Sequence, residues 1–256
     1  MTNTFFAVSA LGFGTIIGSF LNVCIYRIPA RQSIVSPGSR CPKCLSEICW
    51  YQNIPIISWI VLRGRCANCR IPISVRYPLV EGATGVLFLL VFLRFGWQAA
   101  TPLYWLFVSA LIVVTFIDFD HQIIPDVISL PGIPLGFFCS FFIPWVGWLD
   151  SLLGILAGGG SLYLVAYIYE ALTKKEGMGG GDIKLLAMIG AFLGWKAILP
   201  VILLSSLLGT LVGIPLMLMQ KADGKLALPF GPFLAVGALT TLFYGPELMR
   251  WYLSLY

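Results

Sequence analysis

Four acidic residues of this chain have the types and spacing that could activate a water molecule. Asp118, Asp120 and Asp126 lie within nine residues, and Asp182 follows a run of glycines. Two carboxylates that meet repel each other, so one stays protonated while the other is ionised. Such a pair can supply a base and an acid to a water that attacks a peptide bond. The simpler alternative is that these acids are solvated and that Asp126 caps a helix start.

The glycine run is the second feature with chemical meaning. Residues 177–184 read Gly-Met-Gly-Gly-Gly-Asp-Ile-Lys, with Gly179, Gly180 and Gly181 directly before Asp182. Glycine lowers helix propensity and frees the backbone to approach another chain closely. We expect an active-site loop that lets a substrate backbone reach Asp182. A flexible turn before a helix capped by that aspartate is the structural alternative.

Cysteine spacing predicts a metal site. Cys41 and Cys44 form one Cys-x-x-Cys pair, and Cys66 and Cys69 form a second. Four thiolates in two knuckles satisfy a closed tetrahedral Zn²⁺ site, which leaves no position for substrate or a catalytic water. A polar loop of about fifty residues needs such a structural metal to fold. An iron–sulfur centre and two redox disulfides are competing interpretations.

Other catalytic schemes fit less well. The chain has one histidine, His121, which excludes a histidine-rich metal site. A Ser-His-Asp relay would have to use that residue, and no nucleophile motif matches it. No Walker or dinucleotide-binding fingerprint occurs.

The composition predicts that membrane helices position these residues. Hydrophobic residues make up 59% of the 256 residues, charged residues make up 11%, and the mean hydropathy is +0.92. Too few polar residues remain to cover a soluble domain of this length. We therefore predict an all-α polytopic membrane protein with about eight transmembrane helices. The predicted spans are residues 5–26, 78–95, 102–117, 127–146, 151–171, 183–198, 200–219 and 231–250.

The basic residues predict the orientation. The polar insertion at residues 27–77 carries eight Lys and Arg against one acid, Glu47. By the positive-inside rule this insertion is cytoplasmic, and alternation of eight spans puts 13 of the 16 Lys and Arg on that side. The acids fall on the same side, and both termini fall on the other. Because the basic residues are spread unevenly, the net charge of +5 is a clue to topology rather than to nucleic acid, and no nucleic-acid partner is predicted. The later basic residues on the cytoplasmic side are Lys174, Lys175, Lys184, Lys221 and Lys225.

Small residues recur at four-residue spacing within the predicted spans. In lipid such pairs let helix backbones pack closely, so we expect a structural role for them. The pairs are Gly14 and Gly18, Gly132 and Gly136, Gly154 and Gly158, Gly190 and Gly194, and Gly209 and Gly213.

Taken together, the motifs resemble those of bacterial prepilin peptidases, the type IV leader peptidase family of GxGD aspartic proteases. The matching stretches are residues 18–29, the two cysteine knuckles, and residues 53–55, 76–81, 118–126 and 179–182. The resemblance implies an inner-membrane enzyme that removes the basic leader of type IV prepilins or type II secretion pseudopilins. It implies cleavage after a glycine on the cytoplasmic side. Many members then N-methylate the new N-terminus with S-adenosylmethionine.

Carried onto this sequence, the resemblance implies that Asp118 and Asp182 are the catalytic pair, with Asp120 and Asp126 as neighbours. It also implies three parts: a first helix at 1–26, a zinc-binding loop domain with the methyltransferase role at 27–77, and a seven-helix peptidase at 78–256. Gln52 departs from the family, because related sequences often carry an acid there. No residues of a methyl-donor site are predicted.

The position of each acid along its helix suggests its protonation state. We expect Asp118, at the end of a helix, to be protonated and Asp182, at a helix N-cap, to be the ionised base. A proton-coupled transporter, a peptidase without methyltransferase activity and an inactive zinc-knuckled scaffold are the alternative functions. The transporter would predict acids at mid-membrane and inverted repeats. The oligomeric state is not predicted.

Overall fold

The computed structural model describes residues 2–174, 179–220 and 228–254, and most of them are helical. In this part of the chain, five helices are long and apolar enough to cross a membrane. The prediction of an all-α membrane protein is therefore confirmed. The five are Thr4–Arg27, Arg76–Phe95, Ala100–His121, Trp148–Thr173 and Trp195–Met219.

The α-helices overlap the predicted spans, with one short helix added inside the polar insertion. In chain order they are α1 Thr2–Arg27, α2 Ile57–Val61, α3 Arg76–Phe95, α4 Ala100–His121, α5 Asp126–Cys139, α6 Trp148–Thr173, α7 Gly180–Leu193, α8 Ile198–Gln220 and α9 Gly231–Leu253. The span predicted at 183–198 is interrupted because Gly194 adopts a φ of 79° and ends α7. Lys175, Gly177, Met178, Lys221 and Lys225 lie outside the described residues.

The chain divides into two compact units, residues 1–113 and residues 114–256. In the first unit α1 packs along α3, and glycines of α1 permit the close approach. A Cβ added to Gly14 would lie 2.8 Å from Cα of Gly85, and one added to Gly18 would lie 2.7 Å from Cα of Glu81. The structural role predicted for this glycine pair is confirmed.

In the second unit α7 is the central helix, and its residues 185–192 are buried. A Cβ on Gly154 of α6 would meet the backbone of Gly190, and a Cβ on Gly136 of α5 would lie 2.7 Å from Cβ of Ala191. Ser151 of α6 also donates its hydroxyl to the carbonyl of Ala191, at 2.7 Å. α5 and α6 therefore hold the C-terminal half of α7 at backbone contact.

Candidate active site

Asp118 lies near the end of α4 and is buried, with 4% of its surface exposed. Its Oδ2 accepts the backbone N–H of Gly231, the first residue of α9, at 2.9 Å. Asp120 is exposed, because residues two apart on a helix face different directions. Of the two acids on α4, only Asp118 faces the interior of its unit.

Asp182 lies in the first turn of α7, where the negative charge of Asp118 affects its protonation. It is half-buried and lies outside the five candidate spans. Burial first, and then the negative charge of Asp118, raise the pKa of Asp182 to about 6. Although 64 positions apart in sequence, the two acids are thus close enough for the charge of Asp118 to raise the pKa of Asp182.

The expected helix cap at Asp182 is wrong. The N-cap of α7 is Gly179, and Asp182 is the third residue of the helix without a side-chain capping hydrogen bond. Burial and the Asp118 charge outweigh the attraction of the helix N-terminus for a carboxylate. Asp182 therefore takes up a proton more readily than an ordinary aspartate, which argues against its expected role as the permanently ionised member of the pair.

Asp126 is positioned differently from the other two acids of its stretch. It is exposed and is the first residue of α5, where Pro125 occupies the N-cap. The cap predicted for Asp126 is therefore wrong. Its Oδ1 instead accepts from Nζ of Lys184 on α7, at 2.7 Å. This pair links the starts of α5 and α7 on the surface of the unit.

The glycines before Asp182 form the start of a helix. Gly180 and Gly181 already belong to the first turn of α7. A Cβ on Gly181 would lie 2.9 Å from Cβ of Ile124, whereas a Cβ on Gly180 would meet no atom within 4 Å. The backbone is thus closely packed at Gly181 and open at Gly180.

Gly231 is the residue of this site that the sequence did not predict. A Cβ at Gly231 would lie 2.7 Å from Oδ2 of Asp118, so a larger residue would displace the carboxylate. The signal in the sequence is weak, since a glycine and a proline commonly precede or open a helix, as Gly231 and Pro232 do here.

The four predicted zinc ligands come together in the first unit. The Sγ atoms of Cys41, Cys44, Cys66 and Cys69 all lie within 4.8 Å of one another, and those of Cys41 and Cys69 are 3.7 Å apart. Tetrahedral Zn²⁺ with Zn–S bonds of about 2.3 Å sets sulfur atoms about 3.8 Å apart. Hydrogen bonds from the side chain and backbone of Ser46 lower the pKa of the Cys44 thiol to about 6. The cluster therefore fits a metal that binds thiolates.

Gln52 has a local structural role. Its side-chain oxygen accepts the backbone N–H of Cys49 at 3.4 Å, which closes the short 3₁₀ turn Trp50–Gln52. The amide of Gln52 is thus engaged within its own turn.

Comparison with known proteins finds leader peptidases that are similar over most of the chain. Residues 13–95 match the family described as Bacterial Peptidase A24 N-terminal domain, and residues 105–214 match the Type IV leader peptidase family. The chain is 40% identical to a prepilin leader peptidase/N-methyltransferase of Stutzerimonas stutzeri, over 97% of this chain and 94% of the relative. Similar proteins of that name come from Pseudomonas aeruginosa, 38% identical over 97% and 94%, and Neisseria gonorrhoeae, 41% identical over 87% and 85%.

No solved structure matches the chain. The relatives nevertheless share well over 30% identity with this chain over most of both sequences. The two family matches together include both aspartates and all four clustered cysteines. The chain therefore belongs to the type IV leader peptidase family.

Proposed function

We propose that this protein is a membrane aspartic endopeptidase that removes the basic leader of type IV prepilins or type II secretion pseudopilins. Cleavage falls after a glycine, and N-methylation of the new N-terminus follows. The observation that carries the proposal is the electrostatic interaction between Asp118 of α4 and Asp182 of α7, in a member of the type IV leader peptidase family. The exposed Asp120 and the ion-paired Asp126 are not members of the pair.

In the proposed mechanism Asp118 is the base and Asp182 is the acid. The Gly231 N–H holds one oxygen of the Asp118 carboxylate, which leaves the other oxygen to take a proton from the attacking water. The water oxygen bonds to the scissile carbonyl carbon. Asp182, whose pKa is raised to about 6 by burial and by the Asp118 charge, gives a proton to the leaving amine as the C–N bond breaks, and the proton that Asp118 took from the water then returns to Asp182.

The proposed topology has eight spans in the bacterial inner membrane. The active site and the loop domain at 27–77 face the cytoplasm, the peptidase part is 78–256, and both termini are periplasmic. This orientation rests on the charge asymmetry, because eight of the Lys and Arg lie in that one loop. The lipid bilayer and the apolar helix of the substrate are then the main partners of the helical surface.

The residues of this chain fit one of the two proposed cofactors, the zinc ion, better than the other, the methyl donor. A structural Zn²⁺ would be held by Cys41, Cys44, Cys66 and Cys69, and its role is to fold the loop domain. S-adenosylmethionine, the methyl donor implied by the names of the relatives, carries a net positive charge. The cleft that the structure shows in this domain is lined by three arginines and no acid, so it does not fit that donor. No methyl-donor residues are assigned.

Co-expression with a prepilin tests the function. Mass spectrometry of the pilin reports leader removal and N-methylation in one measurement. We expect both with the parent chain and neither with Asp118→Asn or Asp182→Asn, whose cleavage rates should fall by at least about a thousandfold.

Asp120→Asn is the matched control, because it removes an exposed carboxylate from the same helix. It should cleave at a rate within about threefold of the parent. Cleavage at the parent rate by either variant of the pair would exclude the dyad. Leader removal without methylation would identify the chain as a peptidase alone.

A further inference from the structure

The two cysteine knuckles are structurally equivalent ten-residue segments, residues 39–48 and 64–73. In each, the N–H of the first cysteine donates to the carbonyl five residues later, at 3.0 Å from Cys41 and 2.9 Å from Cys66. In each, the residue after the second cysteine has a left-handed backbone, with φ of 57° at Leu45 and 59° at Arg70. The side chains of the two knuckles can therefore be compared position by position.

The comparison reveals an imbalance of charge. In the first knuckle Arg40 faces Glu47 across a β-bridge and forms an ion pair of 2.7 Å. In the second knuckle the equivalent Arg65 faces Pro72, which offers no charge. Arg70 adds a further positive charge where the first knuckle has a leucine. With Lys43 counted, the first knuckle has a net charge of +1, whereas the second, with Arg65 and Arg70 and no acid, has +2.

These arginines line a cleft that is held open by the fold. Arg63, Arg65 and Arg70, together with the last residues of α2, surround a volume of about 410 Å³. Trp59 of α2 donates its indole N–H to the carbonyl of Ile73 in the second knuckle, at 3.2 Å. Because α2 and the knuckle are joined in this way, the cleft exists before any ligand binds. None of the three arginines has an acidic partner among the described residues.

α2, whose last residue Val61 lines the cleft, carries an exposed apolar face. Ile57, Ile60 and Val61 are 59%, 62% and 73% exposed. Their spacing of three and four residues puts them on one side of the helix. Exposed apolar side chains beside basic ones are typical of segments that lie in the interface of a membrane.

Two connections hold this segment near the end of a membrane helix. α3 begins at Arg76, six residues after Arg70, which limits their separation to about 21 Å. The N–H of Ile56, the residue before α2, donates to Oε2 of Glu81 in the second turn of α3, at 2.7 Å. Both the cleft and the apolar face therefore lie near the N-terminal end of α3, one of the helices long and apolar enough to cross a membrane.

We propose that Arg63, Arg65 and Arg70 bind the phosphate of an anionic phospholipid headgroup, while Ile57, Ile60 and Val61 contact its acyl chains. Guanidinium groups donate paired hydrogen bonds to phosphate oxygens. The three uncompensated positive charges favour a lipid with net negative charge, and the neighbouring apolar face favours a lipid over a soluble anion. The site would seat the loop domain on the membrane surface.

The test measures lipid binding to the full-length protein in detergent by native mass spectrometry, with phosphatidylglycerol and phosphatidylcholine as probes. We expect the parent to retain phosphatidylglycerol preferentially. The variant in which Arg63, Arg65 and Arg70 are all changed to Gln should bind it about a hundredfold more weakly, since each basic residue near anionic lipid contributes about 1 kcal/mol. The zinc content of each preparation shows that the loop domain is folded.

Two single variants give a matched comparison. Pro72→Glu supplies the acid that the first knuckle has, keeps all three arginines, and should weaken phosphatidylglycerol binding about fivefold. Arg40→Gln removes an arginine of the first knuckle and should leave binding within about twofold.

Equal retention of phosphatidylglycerol by the parent and Pro72→Glu would overturn the proposal. So would equal binding of the two lipids by the parent. Inorganic phosphate at millimolar concentration should not displace phosphatidylglycerol, and displacement would assign the cleft to a soluble anion instead.

Discussion

The backbone N–H of Gly231 donates to Oδ2 of Asp118 across 2.9 Å, although 113 residues separate the two in sequence. Gly231 is the first residue of α9, where helix N–H groups have no partner within the helix. The hydrogen bond fixes the carboxylate and offsets part of the cost of burying its charge. The start of α9 thus orients an aspartate at the end of α4.

Gly231→Ala should inactivate the peptidase without unfolding it. The new Cβ would lie 2.7 Å from Oδ2 of Asp118, so the carboxylate must move by several tenths of an ångström or more. A misplacement of that order in a catalytic group lowers the rate by about a hundredfold. The measurement is kcat/KM for prepilin cleavage by purified protein in detergent.

Gly245→Ala is the matched control in the same helix. A Cβ at Gly245 would meet its nearest neighbour, Cγ2 of Thr241, at an ordinary distance of 3.5 Å. This variant should cleave within about twofold of the parent. Undiminished cleavage by Gly231→Ala would show that the position of Asp118 is not set by α9.

Stability should fall as the pH rises through about 6, because of Asp182. Its pKa of about 6 in the folded protein lies above the usual value of about 4. Between these values the folded state holds a proton that the unfolded state has lost, so folding is favoured at the lower pH. We expect the contribution of Asp182 to the free energy of unfolding to be about 1 kcal/mol greater at pH 5 than at pH 7.5. Thermal unfolding in detergent at both pH values measures the difference.

Two variants separate this effect from other groups that titrate. The Asp182→Asn variant should lose the part of the pH dependence of stability that comes from the Asp182 carboxyl group. Asp118→Asn should retain a reduced share, because burial raises the pKa of Asp182 more than the Asp118 charge does. Identical pH dependence in the parent and Asp182→Asn would contradict the assignment.

The sequence predicted those parts of the molecule that depend on local patterns. Runs of apolar residues predicted helices, and the spacing of Cys41, Cys44, Cys66 and Cys69 predicted a cluster that the structure assembles. The pairing of Asp118 with Asp182 needed the family resemblance, since hydropathy cannot tell which of three acids in one stretch faces inward.

The remaining features depend on tertiary contacts. Gly231 meets Asp118 only because α9 begins beside the end of α4, and no local pattern encodes that contact. The cap of α7 was misassigned because aspartate is a good N-cap residue, whereas here the helix begins earlier, after Gly179. The ion pair of Asp126 with Lys184 likewise joins two helices across 58 residues.

Removing one knuckle cysteine should release the metal and unfold the loop domain. The parent should contain about one zinc per chain, and Cys44→Ser should contain almost none, because a structural site needs all four thiolates. Trypsin should then cut faster at Arg63 and Arg65. Elemental analysis and limited proteolysis measure the two effects.

Cys49→Ser is the control for this change. Cys49 is an exposed cysteine of the same loop that does not belong to the cluster. Its variant should keep both the zinc content and the resistance to trypsin. Full zinc content in Cys44→Ser would exclude the four-cysteine site.

Glu81→Ala should loosen the loop domain where α2 begins. The Glu81 carboxylate is 7% exposed and accepts the N–H of Ile56, whose φ of 61° is unfavourable for a β-branched residue. Loss of the acceptor leaves a partly buried N–H unpaired, which costs about 1–3 kcal/mol. We expect a lower unfolding temperature and faster tryptic cleavage at Arg63. Glu81→Gln keeps an oxygen at the same place and should behave nearly as the parent. If Glu81→Gln is as unstable as Glu81→Ala, the charge of Glu81 matters rather than its hydrogen bond to Ile56.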